Sequence, residues 1–180
     1  MRFGSVRFGF LAALLISLFP YIAHAQTPFE EGTWLASGAA GLALDADADA
    51  SFAVDVAAAF PLNTQFAVEG ELGHVLDLAP DDSLVDASFT TAHGDLLYLF
   101  NTSYKLTPYV AAGMGVGKFS VNTPAGDASA TEFGINLGGG VLYPLVGGAS
   151  IRGDFRYFKH IDNLPTLYRF TGGIAFKIGS

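Results

Sequence analysis

The groupings able to do acid–base, nucleophilic or metal chemistry in this chain are few and short. His160-Ile161-Asp162-Asn163 sets a carboxylate two residues after an imidazole, the orienting half of a nucleophilic triad. No serine stands beside it, so His160 is expected to be a loop histidine without a special role. His93 and Asp95 fall on one face of an extended segment, where their side chains could hydrogen-bond, and they are expected to be an interior polar pair satisfied within the barrel. Asp45, Asp47 and Asp49 alternate along the chain as the ligands of a calcium loop do. The glycine and distal glutamate of such a loop are missing, which leaves a solvated acidic loop, and Asp81-Asp82 beside Pro80 reads the same way. Gly138-Gly139-Gly140 lies inside a strand with no helix after it, so it cradles no phosphate. No catalytic, cofactor-binding or metal residue is assigned, and no cofactor is expected.

The surrounding chain explains what these groups sit in. Hydrophobic residues make up 51% of the 180 positions and charged residues only 14%, against roughly 25% charged in an ordinary soluble domain. Much apolar surface must be placed somewhere, yet after the first thirty residues no run approaches the roughly 20 apolar residues of a spanning helix. Arg2 and Arg7, the apolar run Phe8 to Phe19, and Ala23-His24-Ala25 have the three parts of a secretory signal. Residues 1–25 are therefore expected to be cleaved, leaving one domain over 26–180 that starts at Gln26. Cleavage leaves seven basic residues against seventeen acidic ones, a net charge of about −10, which excludes nucleic acid as a partner. With no cysteine, neither a disulfide scaffold nor a thiolate metal site can form.

Period-two patterning divides the mature chain into segments at 32–43, 51–60, 65–76, 87–100, 106–119, 130–143, 148–158 and 166–178. Each is about as long as a tilted strand that crosses a bilayer. The connections alternate. Pro61-Leu62-Asn63-Thr64, Asn101 to Lys105 and Pro144-Leu145-Val146-Gly147 are short turns, whereas 44–50, 77–86, 120–129 and 159–165 are longer and mostly acidic. Short turns at one end and longer loops at the other predict an eight-stranded antiparallel up-and-down transmembrane β-barrel, with the turns on the periplasmic side. His74, near the loop end of the third strand, then falls at the membrane interface.

The faces agree with that reading. Phe66, Val68 and Leu72 alternate with Glu69 and Glu71; Ile151, Phe155 and Tyr157 with Arg152, Asp154 and Arg156; Tyr168, Phe170, Ile174 and Phe176 with Arg169, Thr171 and Lys177. A soluble barrel with an apolar interior would also alternate. Three features favour lipid outside: aromatic residues near strand ends, glycines such as Gly113, Gly115 and Gly117 on the charged face, and charges of both signs that can neutralise one another in a narrow lumen.

Three stretches carry a family resemblance: Pro108 to Gly117, Glu132 to Val141, and Ser150 to Tyr157. The chain resembles the OmpA/OmpX-like porin-type outer-membrane barrels over essentially its whole mature length. The resemblance implies an eight-stranded barrel in the outer membrane of a Gram-negative bacterium, among outer-membrane lipid and lipopolysaccharide, inserted by the barrel assembly machinery. Such barrels commonly end on an aromatic residue, whereas here Phe176 is followed by Lys177-Ile178-Gly179-Ser180. The peptidoglycan-binding domain of larger relatives is not expected. Lipid A deacylases of this architecture use a histidine closely followed by serine, a pattern His160 lacks. The expected function is a monomeric, non-enzymatic barrel with a structural or envelope-integrity role. The alternatives are a surface-interaction module acting through its loops and, further off, a lipid A-modifying enzyme.

Overall fold

A computed structural model describes residues 32–45, 50–76, 78, 86–100, 105–124, 126–161 and 166–179. Eight strands follow one another in chain order: β1 (Trp34–Leu44), β2 (Ala50–Pro61), β3 (Phe66–Val75), β4 (Asp86–Leu99), β5 (Thr107–Thr123), β6 (Gly126–Pro144), β7 (Ala149–His160) and β8 (Leu167–Ile178). Each pairs antiparallel with the next, and β8 closes on β1 from Trp34↔Ile178 to Leu44↔Tyr168. Closure satisfies every strand edge within the barrel wall, as hydrocarbon requires of a backbone that crosses it.

A row of cross-strand partners that leaves β2 at Phe60 runs through Val68, Leu96, Ala112, Leu137, Tyr157, Tyr168 and Leu44. It returns to β2 at Ala50, ten residues nearer the loop end than Phe60. This stagger tilts the strands and sets how wide the barrel is.

The predicted periplasmic turns are tight. Asn63 Oδ1 accepts the backbone N–H groups of Gln65 and Phe66, each at 2.8 Å, which reverses the chain between β2 and β3. Before β7 the chain makes a single 3₁₀ turn, Val146–Gly148, in which Gly147 and Gly148 take φ of 79° and 80°. That left-handed conformation suits glycine because it has no Cβ to clash. Of the turn after β4, residues 101–104 lie outside the described residues.

The third long loop is different from the expectation. Residues 120–129 continue the strands, with Ser120↔Ser129 and Thr123↔Gly126 still in register, so β5 and β6 form a ribbon around a two-residue turn. β4 supports one side of this ribbon as far as Asp86↔Asn122. β7 supports the other only up to Gly134↔His160, with Ile161 N–H bonding Phe133 O beyond it. Among the described residues the β6 segment 126–131 is therefore paired with β5 alone.

The expected faces hold. Phe66, Leu72, Phe170 and Ile174 point outward and are exposed, while Glu69, Glu71, Arg152, Arg156 and Arg169 point inward and are buried. Aromatic side chains meet on the outer wall at the turn end, Trp34 with Phe60 at 5.1 Å and Phe66 with Tyr98 at 5.2 Å between ring centroids. Another pair sits toward the loop end, Tyr157 with Tyr168 at 5.2 Å. Two such girdles bracket the apolar band of an outer-membrane barrel.

Candidate functional site

The lumen is built in three layers. At the turn end Leu35, Leu97, Leu99, Tyr109, Leu142 and neighbouring alanines form one apolar cluster. At the loop end Val75, Phe89, Phe158 and Leu167 form another with Ala43 and Ala53, and Phe119 and Leu78 pack against it. Between them, among the described residues, lie five buried carboxylates, those of Asp55, Glu69, Glu71, Asp95 and Asp154, and three buried guanidinium groups, those of Arg152, Arg156 and Arg169. Strand alternation puts all eight inside, and the stagger decides which of them meet.

Arg152 and Arg156 leave β7 two residues apart and divide the carboxylates between them. Arg152 grips Glu69 of β3 through Nη1 at 2.5 Å and Nη2 at 2.9 Å, a bidentate fork. Its Nε donates to the Tyr109 hydroxyl at 2.9 Å, and that hydroxyl in turn donates to Asp154. Arg156 reaches Glu69 Oε1 at 2.8 Å, Asp95 Oδ2 at 3.0 Å and Asp154 Oδ1 at 2.8 Å. Asn136 completes the group by donating to Asp95 Oδ1 at 2.6 Å. Burying such charges is tolerable only because each finds an opposite charge and further hydrogen bonds.

Arg169 of β8 is held more loosely. It bonds Glu71 Oε1 at 2.6 Å and lies over the Phe158 ring at 5.1 Å, while its Nε stands 4.0 Å from Asp55 Oδ2. Around it Glu71 Oε2, Thr91 Oγ1, Thr171 Oγ1 and His93 Nδ1 are buried without hydrogen-bond partners among the described residues. A small cavity of about 10 Å³ between Arg169, Thr91, Phe89, Phe158 and Ala43 has room for about one water molecule.

Of the histidines, His93 faces the lumen as expected, but no hydrogen bond joins it to Asp95. Asp95 instead serves Arg156 and Asn136, and the His93 ring stacks near Phe158 at 4.9 Å. The reason is distance: two residues along one strand stand about 7 Å apart, too far for short side chains that both point straight inward. His160 is not in a loop. It is the last residue of β7, 3% exposed, and meets the edge of Phe89 at 5.1 Å. His74 points outward near the loop end of β3, and its Nδ1 shares a hydrogen bond of 2.9 Å with Thr90 Oγ1. Asp47, Asp49, Asp81, Asp82, Asp162 and Asn163 lie outside the described residues, as do residues 1–25.

Glu69, Glu71 and Asp95 have oxygens within 4.8 Å of one another, the spacing of cation ligands. Arg156 already supplies positive charge to two of the three, so the arrangement works as an ion-pair lattice that ties β3 and β4 to β7. Sequence reading had named six of these charges as mutually neutralising but missed the parts of Tyr109, Asn136 and Asp55. Their inward parity on β5, β6 and β2 was the available signal.

No curated protein sequence matches the chain. Among solved structures it is similar to Neisserial surface protein A, at 17% identity and a TM-score of 0.69, over 82% of this chain and 98% of that one. It is similar to Ail of Yersinia pestis at 16% identity and a TM-score of 0.61, over 83% of this chain and 100% of that one. The N-terminal β-barrel domain of Pseudomonas aeruginosa OprF follows at 14% and 0.62, over 81% and 96%. At such identities the likeness concerns the fold. Residues 10–177 match the family model of the outer membrane protein β-barrel domain. Apolar outer wall, aromatic girdles, charged lumen and family match converge: the protein is an outer-membrane barrel and belongs to the outer membrane protein β-barrel domain family.

Proposed function

We propose that this barrel is a monomeric, non-enzymatic element of the outer membrane that contributes to envelope integrity. Export by a signal cleaved after Ala25 and insertion by the barrel assembly machinery are part of the proposal. The observation that carries it is the filled lumen, a lattice of ion pairs between two apolar layers. Such an interior offers neither an aqueous path nor an exposed nucleophile and base. A strain lacking the protein should become more sensitive to detergents and hydrophobic antibiotics, and the wild-type gene should restore it. An unaltered barrier would count against the reading, and altered lipid A mass spectra on overexpression would replace it with an enzymatic one. Mass spectrometry of the mature protein should find Gln26 at its N-terminus.

One observation favours a second reading, that of a surface-interaction module. Among the described residues the β6 segment 126–131 carries a row of backbone groups paired only with β5, and it has no lysine or proline to guard that edge. Such an edge accepts an extended segment of another polypeptide by strand addition. Ail, the attachment invasion locus protein, has been solved with the heparin analogue sucrose octasulfate. Here Asp86, Asp127 and Glu132 flank the ribbon, so a polyanion is a poor match and a polypeptide a better one. Replacing residues 121–130 by a two-residue turn should abolish partner or cell-surface binding while the barrel keeps its heat-modifiable migration. Unchanged binding would reject this reading.

A further inference from the structure

Among the described residues the closed part of the lumen holds five buried carboxylates against three buried guanidinium groups, a surplus of two negative charges. Glu132 and Lys177, at opposite ends of the inward face, carry opposite signs and leave that surplus unchanged. The shortfall falls on one side of the lumen. Glu69, Asp95 and Asp154 each stand 3.0 Å or less from a guanidinium nitrogen, and Asn136 and Tyr109 donate further bonds to Asp95 and Asp154. Asp55 and Glu71 have Arg169 between them, at 4.0 Å and 2.6 Å. A carboxylate buried with too little positive charge is costly unless a further cation accompanies it.

Polar atoms without partners gather around the same two carboxylates. Asp55 and Glu71 both approach the Nε–Nη2 edge of Arg169, which sets them side by side. Gly73 pairs with Asp55 on one side and with Thr91 on the other. A Cβ on Gly73 would stand 2.7 Å from Thr91 Oγ1 and 2.5 Å from Arg169 Nη1, so the Thr91 hydroxyl leans over this glycine toward Asp55. His93 stands directly across from Glu71, and Thr171 points inward from β8 two residues along from Arg169. Asp55 Oδ2, Glu71 Oε2, Thr91 Oγ1, Thr171 Oγ1 and His93 Nδ1 are all buried and have no hydrogen-bond partner among the described residues. The cavity of about 10 Å³ borders Thr91 and Arg169 on the loop side of this group.

We propose that Asp55 and Glu71, with the Thr91 and Thr171 hydroxyls, hold one calcium-type divalent cation inside the lumen. A charge of two matches the surplus, and four oxygen-bearing side chains against the single imidazole of His93 suit a hard cation. Calcium accepts irregular shells of roughly six to eight oxygens, so the second carboxylate oxygens and a water in the adjoining cavity complete its shell. Magnesium demands a regular octahedron and keeps several waters, more than a cavity of this size admits. Arg169 stays on Glu71 Oε1 while the ion takes Oε2. Apolar layers shut the site at both ends, so the ion enters as the barrel closes and leaves when it opens. The inference goes beyond the envelope role and does not depend on it: the ion ties β2, β3, β4 and β8 together on the side of the lumen that the Arg152 and Arg156 lattice leaves less well held.

To test this, the purified protein is unfolded in urea and refolded in neutral detergent with calcium chloride or with EGTA. It is then desalted in EGTA and weighed by native mass spectrometry. The barrel refolded with calcium should keep one ion through the column, and its urea midpoint should exceed that of the barrel refolded in EGTA. Asp55→Asn and Glu71→Gln should each lose the ion, with heat-modifiable migration showing that each is folded. Asp55→Asn should also unfold at a higher urea concentration than the wild type when both are refolded in EGTA, because it removes one surplus charge. A carboxylate that only packs within the lumen would not produce that gain. Asp86→Asn, outward at the loop end, should keep the ion. The measurement on the wild type needs no variant to fold: an absence of retained calcium there would overturn the inference. So would an ion retained by the Asp55→Asn/Glu71→Gln double variant, an ion lost from Asp86→Asn, or magnesium retained in preference to calcium.

Discussion

Arg156 Nη2 lies 2.8 Å from Glu69 Oε1, which ties β7 to β3 across the centre of the lumen. The same guanidinium holds Asp95 and Asp154; Arg152 also holds Glu69 and Asp154, so among the described residues Asp95 has Arg156 as its one cation. Arg156→Ala should cost about 3–5 kcal/mol, because it leaves buried Asp95 without a cation and Glu69 and Asp154 to share Arg152. Urea unfolding in lipid vesicles would show it as a lower midpoint. Arg156→Lys keeps the charge but loses the fork that spans several partners, and should fall between the two. An unchanged midpoint for Arg156→Ala would mean that the lattice does not hold the barrel together.

Glycine substitutions should separate the two faces of the wall. A Cβ at Gly138 would run into Phe155 O and stand 2.6 Å from Arg156 Cδ, so Gly138→Ala should destabilise by about 1–3 kcal/mol. Gly70 faces outward with nothing within 4 Å of its added Cβ, and Gly70→Ala should lie within about 0.5 kcal/mol of wild type. Equal effects at both sites would contradict the assignment of faces.

Leu72 is 58% exposed on the outer wall, below the hydrogen-bonded pair of His74 and Thr90. Leu72→Arg, two residues inside the level of His74, should cost less than the about 2–4 kcal/mol of a cation at the midplane of a barrel, yet more than arginine at the boundary itself. A two-residue shift of position changes the result: arginine at His74, near the boundary, should cost no more than about 1 kcal/mol. Comparing the two unfolding midpoints in the same vesicles measures the depth of the hydrocarbon edge.

The faces of β3, β7 and β8 were legible because charge and aromatic alternate in them without a break, as in Arg152, Asp154 and Arg156 against Ile151, Phe155 and Tyr157. The ribbon at 120–129 was not, since serine, alanine, glycine and asparagine carry little strand signal; it is held in strand form by register with β4, as in Ser88↔Ser120. His160 was misplaced because Lys159-His160 reads as the start of a polar loop, although the inward parity of Arg156 and Phe158 continues to it. The pairing of Asp95 lay beyond reach for a different reason. Its partner Arg156 is 61 residues away, and the stagger of the closed barrel brings them together.

The three-layered lumen bears on transport. Water crossing the barrel would have to pass Leu97 and Leu142 at one end and Phe89 and Phe158 at the other. Between these layers Arg152 and Arg156 span the lumen from β7 to β3. Purified barrel in planar bilayers should therefore show no steady open channel. Phe89→Ala removes part of the loop-end layer and should destabilise by about 3–5 kcal/mol. It should still leave the bilayer silent, because the ion-pair lattice and the turn-end layer remain. Conductance should emerge only when Phe89→Ala is combined with Leu97→Ala and Arg156→Ala, so that all three layers are opened together. A steady wild-type conductance would show that the layers exchange with an open arrangement, and would undermine the filled lumen as the basis for an envelope role.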